Sequence, residues 1–200
     1  EKKGQEFCLI LDKTYLWKQK VDGEIQQIYV NKNGYVAIVT TDTTYKSIIT
    51  LYDSNGKQLL RNFMSSTRVI DVSISNDNKY LAFAEMDTSG TVIKSTIKII
   101  SVEKASTNSN QAIVYSKEAG TSEMIVKIQY QEKDDLICVY DDVVKAIKDN
   151  EESEVVSKDD TMTFVSGNLN NSIAYIKEEQ KGIFDSSSTL NIKNTSNNQE

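Results

Sequence analysis

Apolar and polar residues alternate along this chain in short bursts, and the bursts recur. Across 69–75, Ile70, Val72 and Ile74 are interleaved with Val69, Asp71, Ser73 and Ser75, the two-residue period of a strand. Four segments share one plan: an apolar strand, a tight polar turn, and a second strand with a small residue at its third position. They run over 25–39, 69–84, 124–140 and 161–176, and the small residues align as Ala37, Ala82, Cys138 and Ala174. The second strands are apolar nearly throughout, as expected of strands covered on both faces. A small residue at a fixed place lets neighbouring sheets approach closely there. Asn33-Gly34 and Asn55-Gly56 mark tight turns, because glycine readily takes the positive φ they need.

Counted from the start of each second strand (Tyr35, Tyr80, Leu136, Ser172), the spacings are 45, 56 and 36 residues. That brackets the roughly 40–50 residues of a four-stranded propeller blade. Third and fourth strands are readable at 46–53 and 58–63, and again at 94–102 and 111–116. In the third unit, 143–149 follows close behind Asp141-Asp142, and both a strand and a helical turn stay open there. No stretch carries a helical stripe with caps. Segments 6–12 and 14–20 read as two strands of an incomplete blade, and 189–194 precedes a polar tail. The expected fold is all-β: β-propeller-like repeats of four-stranded antiparallel meanders, about four units. A single domain is expected over 1–200, with units near 1–23 (partial), 24–67, 68–120, 121–158 and 159–200 (partial). Two closures remain open: the amino-terminal strands complete the last blade, or the chain is part of a larger propeller. The ragged ends favour the second.

The segment 73–85 resembles the repeat of TolB-type and WD-like β-propellers, which carries Ser-Pro-Asp-Gly-Lys-x-Leu-Ala-Phe. Ser75, Asp77, Lys79, Leu81, Ala82 and Phe83 match it, with Asn76 in place of the proline and Asn78 in place of the glycine. Both replacements are tolerable, since asparagine adopts left-handed turn conformations. Segment 51–59 likewise resembles the Tyr-Asp-x-x-Gly-Lys turn of such repeats, through Tyr52, Asp53, Gly56 and Lys57. The layout as a whole is similar to an uncharacterised family of bacterial propeller-like proteins with an amino-terminal membrane anchor. That resemblance implies an extracytoplasmic, membrane-anchored location, through an anchor outside these 200 residues. It transfers no catalytic residue, because fold-level likeness is not a functional argument.

Composition narrows the chemistry. Two hundred residues can bury roughly 70 % of the unfolded surface, so no disulfide or metal staple is required. No apolar run approaches the ~18–20 residues of a membrane span, and the start does not read as a signal peptide. The chain begins at Glu1 and its first methionine is Met64, so it is expected to be processed, trimmed or cut from something longer. The net charge of −6 argues against nucleic-acid and anionic-membrane surfaces, since no basic cluster is present to replace counterions. Histidine is absent; this removes Ser-His-Asp and Cys-His catalysis and every His-ligated metal site.

Catalysis would then rest on carboxylates, Ser/Lys, Tyr or Cys. The candidate pairs are Glu85 with Asp87, Asp134 with Asp135, and Asp141 with Asp142; two carboxylates in a cleft can serve as acid and base in glycoside cleavage. Asp134-Asp135 sits where the other units turn, and a hairpin turn accounts for it. The acidic stretch 149–160 (Asp149, Glu151, Glu152, Glu154, Asp159, Asp160) lacks the spacing of a Ca²⁺ loop and reads as a solvated loop. Cys8 and Cys138 read as two buried thiols rather than a disulfide framework. Among the aromatics, Trp17, Tyr15, Tyr115 and Tyr130 read mainly as packing between blades. No catalytic, cofactor-binding or metal residue is therefore assigned. The expected function is a non-catalytic module binding a protein or cell-envelope component. A carboxylate-dependent glycan-active enzyme and a structural assembly piece are the alternatives.

Overall fold

The computed structural model describes residues 5–107, 111–121, 123–132, 134–141, 143–157, 162–169, 172–181 and 185–194. Among them the chain forms an all-β array of antiparallel sheets in sequence order. A two-stranded hairpin, β1 (Glu6–Leu11) and β2 (Thr14–Lys20), comes first. Sheet 1 follows with β3 (Glu24–Val30), β4 (Val36–Thr41), β5 (Ser47–Tyr52) and β6 (Gln58–Met64). Sheet 2 holds β7 (Thr67–Ile74), β8 (Tyr80–Asp87), β9 (Lys94–Ser101) and β10 (Ile113–Glu118). Sheet 3 holds β11 (Ile125–Tyr130), β12 (Leu136–Tyr140), β13 (Val143–Lys148) and β14 (Glu151–Ser157). Sheet 4 has β15 (Met162–Leu169), β16 (Ser172–Gln180) and β17 (Ser186–Asn194). Each is a simple meander, the arrangement of propeller blades. The hairpin strands pair only with each other and do not complete sheet 4.

The continuous apolar character of the second strands has a direct cause. Each of β4, β8 and β12 has a continuous run of five buried residues because its two faces serve two different interfaces. Val36 and Ile38 face the hairpin with Phe7, Val21 and Tyr52. Ala37 and Val39 face sheet 2, meeting Leu81 and Phe83 of β8. The other face of β8, Ala82 and Ala84, meets Leu136, Cys138 and Tyr140 of sheet 3. Ile137 and Val139 then turn to sheet 4 with Ile173. The core is thus a row of interleaved layers, one per pair of sheets.

This row corrects the alignment at Cys138. Ala37 and Ala82 point toward the following sheet, whereas Cys138 points back at sheet 2. The structural equivalent of the alanines is Ile137, which faces sheet 4. The turn bonds agree: the backbone N–H groups of Asn31, Ser75 and Gln131 donate to the carbonyls of Tyr35, Tyr80 and Asp135. Asp135, not Leu136, is the counterpart of Tyr35 and Tyr80. Because side chains alternate with period two, a slip of one residue exchanges the faces, and sequence alignment at Leu136 made that slip.

Two other expectations change and an open one is decided. The strand expected over 94–102 ends at Ser101, and a helical turn and a half follows, α1 (Val102–Thr107), begun by Ser101, whose Oγ accepts from the Lys104 N–H at 3.3 Å in the manner of an N-cap. Segment 143–148 is strand β13, and the acidic stretch contains strand β14 rather than a loop. Val155 and Val156 bury against sheet 4 and hold it in place. Asp142, Asp159, Asp160 and the tail lie outside the described residues.

Cys8 is also corrected. Phe7 packs inward, so its neighbour Cys8 points outward and is exposed, while Cys138 is buried; both thiols are free. Burial pushes the Cys138 thiol far above its usual range, and only thiolate reacts readily. Iodoacetamide is therefore expected to modify one cysteine in the native protein, Cys8, and two in denaturant. Mass spectrometry of the alkylated peptides reads this, and native modification of Cys138 would contradict the packing.

Candidate ligand-binding cleft

The turns between the first and second strands of neighbouring sheets are tied to one another. Asn31 Nδ2 donates to the Ser75 carbonyl at 3.1 Å and to Asn78 Oδ1 at 2.6 Å. Asn33 Nδ2 donates to the Asn76 carbonyl at 2.6 Å. One sheet further on, the Asn76 N–H donates to Asp134 Oδ1 at 2.6 Å and Asn76 Nδ2 to the Gln131 carbonyl at 2.6 Å. Gly34, Asn78 and Asp134 carry the positive φ of these turns (76°, 63° and 62°). Asn76 and Asn78 are thus more than tolerated replacements, since both bridge to a neighbouring turn.

Below this belt the inner strands are stitched by side chains. Ile128 N–H donates to Asp71 Oδ2 at 2.9 Å and Tyr130 N–H to Ser73 Oγ at 3.0 Å, both from β11 to β7. At the far end of the same junction, Lys117 of β10 pairs with Glu152 of β14, whose Oε1 also accepts from the Tyr115 hydroxyl at 3.3 Å and the Tyr140 hydroxyl at 3.4 Å. Burial pushes both phenols upward, with Glu152 adding to it, so they remain donors.

Between these ties, sheets 2 and 3 diverge and leave a cavity of about 430 Å³, within the range of small-ligand sites. Ile99 of β9, Val114 of β10, Leu136 of β12 and Ile147 of β13 form its apolar wall. Tyr80 and Tyr130 line it, as do Asp134 and Asp135 from the β11–β12 turn and Lys148, Asp149 and Asn150 at the β13–β14 turn. Asp149 and Asn150 both take positive φ (49° and 68°), the geometry of a two-residue hairpin turn. Lys148 Nζ lies 3.7 Å from Asp135 Oδ1. Tyr130 is only 7 % exposed, and burial pushes its phenol up, so it is protonated. Its hydroxyl bonds to no protein group among the described residues, where no side-chain oxygen is both sealed from solvent and unpartnered. The hydroxyl therefore opens into the cavity.

The sequence candidates separate clearly. Asp134, Asp135 and Asp149 come together at the cleft with Tyr130. Glu85 lies elsewhere, buried in sheet 2, with Lys98 Nζ at 2.5 Å from Oε1 and the Thr67 hydroxyl donating to Oε2 at 2.8 Å. Asp87 Oδ1 accepts from the Ser89 N–H at 2.8 Å. Asp141 Oδ1 accepts from the Met124 N–H at 2.7 Å. Trp17 donates from Nε1 to the Ser54 carbonyl at 2.8 Å and meets Phe7 edge-on, while Tyr15 is exposed. No group of three or more His, Cys, Asp or Glu suited to a metal ion occurs among the described residues. In the sequence Tyr80 reads only as the start of a second strand and Asp149 only as part of an acidic run.

Two carboxylates near this junction respond oppositely to acid. The hydrogen bond from Lys145 holds Glu123 below its usual 4.5, aided by the Gly120 N–H. Its contribution is present above the unfolded pKa and is lost as pH falls through the folded one. Burial instead pushes Asp71 up against the two N–H groups it accepts from; its charge costs stability at neutral pH, and acid relieves that cost. Glu123→Gln is accordingly expected to flatten the loss of melting temperature between about pH 5 and about pH 3, with Asp71 untouched. An unchanged acid limb would show that the Lys145 pair contributes nothing.

The likenesses to known proteins lie in the fold. The β-propeller domain of the Trilobed protease from Pyrococcus furiosus is 16 % identical with a TM-score of 0.57, over 84 % of this chain and 53 % of that one. Pyrococcus horikoshii acylaminoacyl peptidase is 12 % identical with a TM-score of 0.57, over 89 % of this chain and 32 % of that one. Porphyromonas gingivalis dipeptidyl peptidase 4 is 12 % identical with a TM-score of 0.53, over 78 % of this chain and 30 % of that one. This chain spans about half the length of the first of these. No curated protein matches it. With its repeated meanders, interleaved core and belt of turns in place, and matched from residue 1 to residue 199, the chain belongs to the family of unknown function DUF5711.

Proposed function

We propose that this chain is a non-catalytic propeller-type binding module whose ligand, a protein or a cell-envelope component, occupies the cleft between sheets 2 and 3. The observation that carries this is Tyr130, whose ring is buried and whose hydroxyl opens to a cavity lined by both apolar and polar side chains. Ligand sites commonly have that make-up: apolar surface for affinity and a few fixed polar groups for orientation. The resemblance of the whole layout to bacterial propeller-like proteins with an amino-terminal membrane anchor supports an extracytoplasmic, membrane-anchored setting for the module. Protease accessibility of the full-length protein on intact cells tests the location.

A thermal-shift screen against peptides, cell-wall fragments and oligosaccharides tests the function, since a ligand of the native state raises the melting temperature by mass action. Val114 is half-buried in the cleft wall, and Val114→Trp fills the space. A shift seen with the wild type and abolished in that variant supports the proposal. A shift that survives the filling overturns the site. Turnover of an oligosaccharide that depends on Asp134 or Asp149 overturns the non-catalytic reading in favour of a carboxylate-dependent enzyme.

A further inference from the structure

From the same cleft, and resting on the reading just given, we infer that its ligand is an alkyl chain ending in a cation: an ammonium or guanidinium group, as in a lysine or arginine side chain or a polyamine. The charges around the cleft divide into satisfied and unsatisfied ones. Asp77, beside Tyr130, is paired with Lys79 at 2.9 Å, and Asp135 with Lys148 at 3.7 Å. Asp134 and Asp149 have no lysine partner among the described residues. Asp134 spends one oxygen on the Asn76 N–H and keeps the other for a ligand. Two carboxylates with no ion pair within 4 Å among the described residues therefore line an apolar slot, Asp134 feeling the Lys79 charge only at longer range.

Tyr130 supplies the observation that a solvated acidic patch would lack. Its ring is built into the junction, 7 % exposed, yet its hydroxyl has no partner among the described residues and opens to the cavity. That hydroxyl is reached by solvent in the cavity, so a ligand group can take the place of water on it. Tyr80, 37 % exposed, lines the same cavity and adds an aromatic side chain to it. Aromatic faces attract cations and repel anions. Ile99, Val114, Leu136 and Ile147 suit methylene groups. An anionic or purely polar ligand would meet the carboxylates as repulsion and the apolar wall as wasted desolvation.

Nuclear magnetic resonance titration of the isotope-labelled 200-residue chain tests this with four probes. These are an acetylated, amidated Ala-Ala-Lys-Ala-Ala peptide, the same peptide with Nε-acetyl-lysine, the same peptide with glutamate, and spermidine. The lysine peptide or spermidine is expected to shift the amides of Tyr80, Tyr130 and Asp149, and the acetylated and glutamate peptides are not. Which cationic probe binds tighter distinguishes a polypeptide from a polyamine source. Asp134→Asn and Asp149→Asn keep a side-chain oxygen and tolerate positive φ, so the turns survive. Each is expected to weaken the cationic probe about fivefold, the size of one exposed ion pair. Tyr130→Phe should weaken it similarly without a salt dependence.

Equal binding of the acetyl-lysine peptide, or unchanged affinity in the Asp134→Asn/Asp149→Asn double variant, overturns the inference, as does the absence of any shift with both cationic probes. Should a neutral or anionic ligand bind and be blocked by Val114→Trp, the cleft stands as the binding site and only its cationic selectivity fails.

Discussion

Asn76→Pro is expected to destabilise the protein by about 2–4 kcal/mol, the sum of one charge-assisted and one neutral hydrogen bond lost from buried or half-buried partners. The result is counter-intuitive from the sequence, because proline is what the resembled repeat carries at this position. Here the Asn76 N–H donates to Asp134 Oδ1 and its side-chain amide to the Gln131 carbonyl. Proline has no N–H and no amide, so both links between the turns of sheets 2 and 3 vanish together. Asn76→Ala keeps the N–H and removes only the amide, and should cost about 1 kcal/mol. Urea denaturation of the three proteins separates the two bonds. A neutral or stabilising proline would mean that the belt of turns contributes nothing to the fold.

Lys98→Met should be costly for a different reason, by about 3 kcal/mol at neutral pH, because removing one partner of a buried pair leaves an uncompensated charge. Glu85 sits in the middle of sheet 2 with a nearly inaccessible side chain, held by Lys98 at 2.5 Å and by the Thr67 hydroxyl. Methionine keeps the stem of Lys98 and deletes its charge. Glu85→Gln in the same background removes the orphaned carboxylate, and the double variant is expected to recover most of the loss. The non-additivity measured in the double-mutant cycle is the readout. If the single variant costs under about 1 kcal/mol, the pair behaves as an exposed one.

How far the sequence could be read depends on which residues carried the signal. The strands of sheets 1 and 2 are legible because Ile38, Phe83 and their neighbours lie between polar turns, and glycine or asparagine marks the turns at 31–35, 53–57 and 75–80. The third unit was harder. Leu136, Ile137, Cys138 and Val139 are all apolar because the strand is covered on both faces, so nothing local sets the register, and only the turn bond to Asp135 does. Strand β14 was hidden by its four charged or polar positions before Val155. Its neighbours in space, not its own pattern, make it a strand. The cleft was half legible: Asp134, Asp135 and Tyr130 were visible as residue types. Their meeting with Tyr80 and Asp149, which lie in other strands and turns, is a property of how two sheets stack.

The stacking has a kinetic side as well. Among the described residues, sheets 1, 2 and 3 each have core layers on both faces, whereas the hairpin and sheet 4 each contribute to one core layer. Stability in such a row is a sum over adjacent pairs, and opening proceeds from the less covered members. Amide protons of β1, β2 and β17 will exchange first and those of β8 and β12 last, so the cleft, lying at an interior junction, keeps its shape while the ends of the molecule come and go.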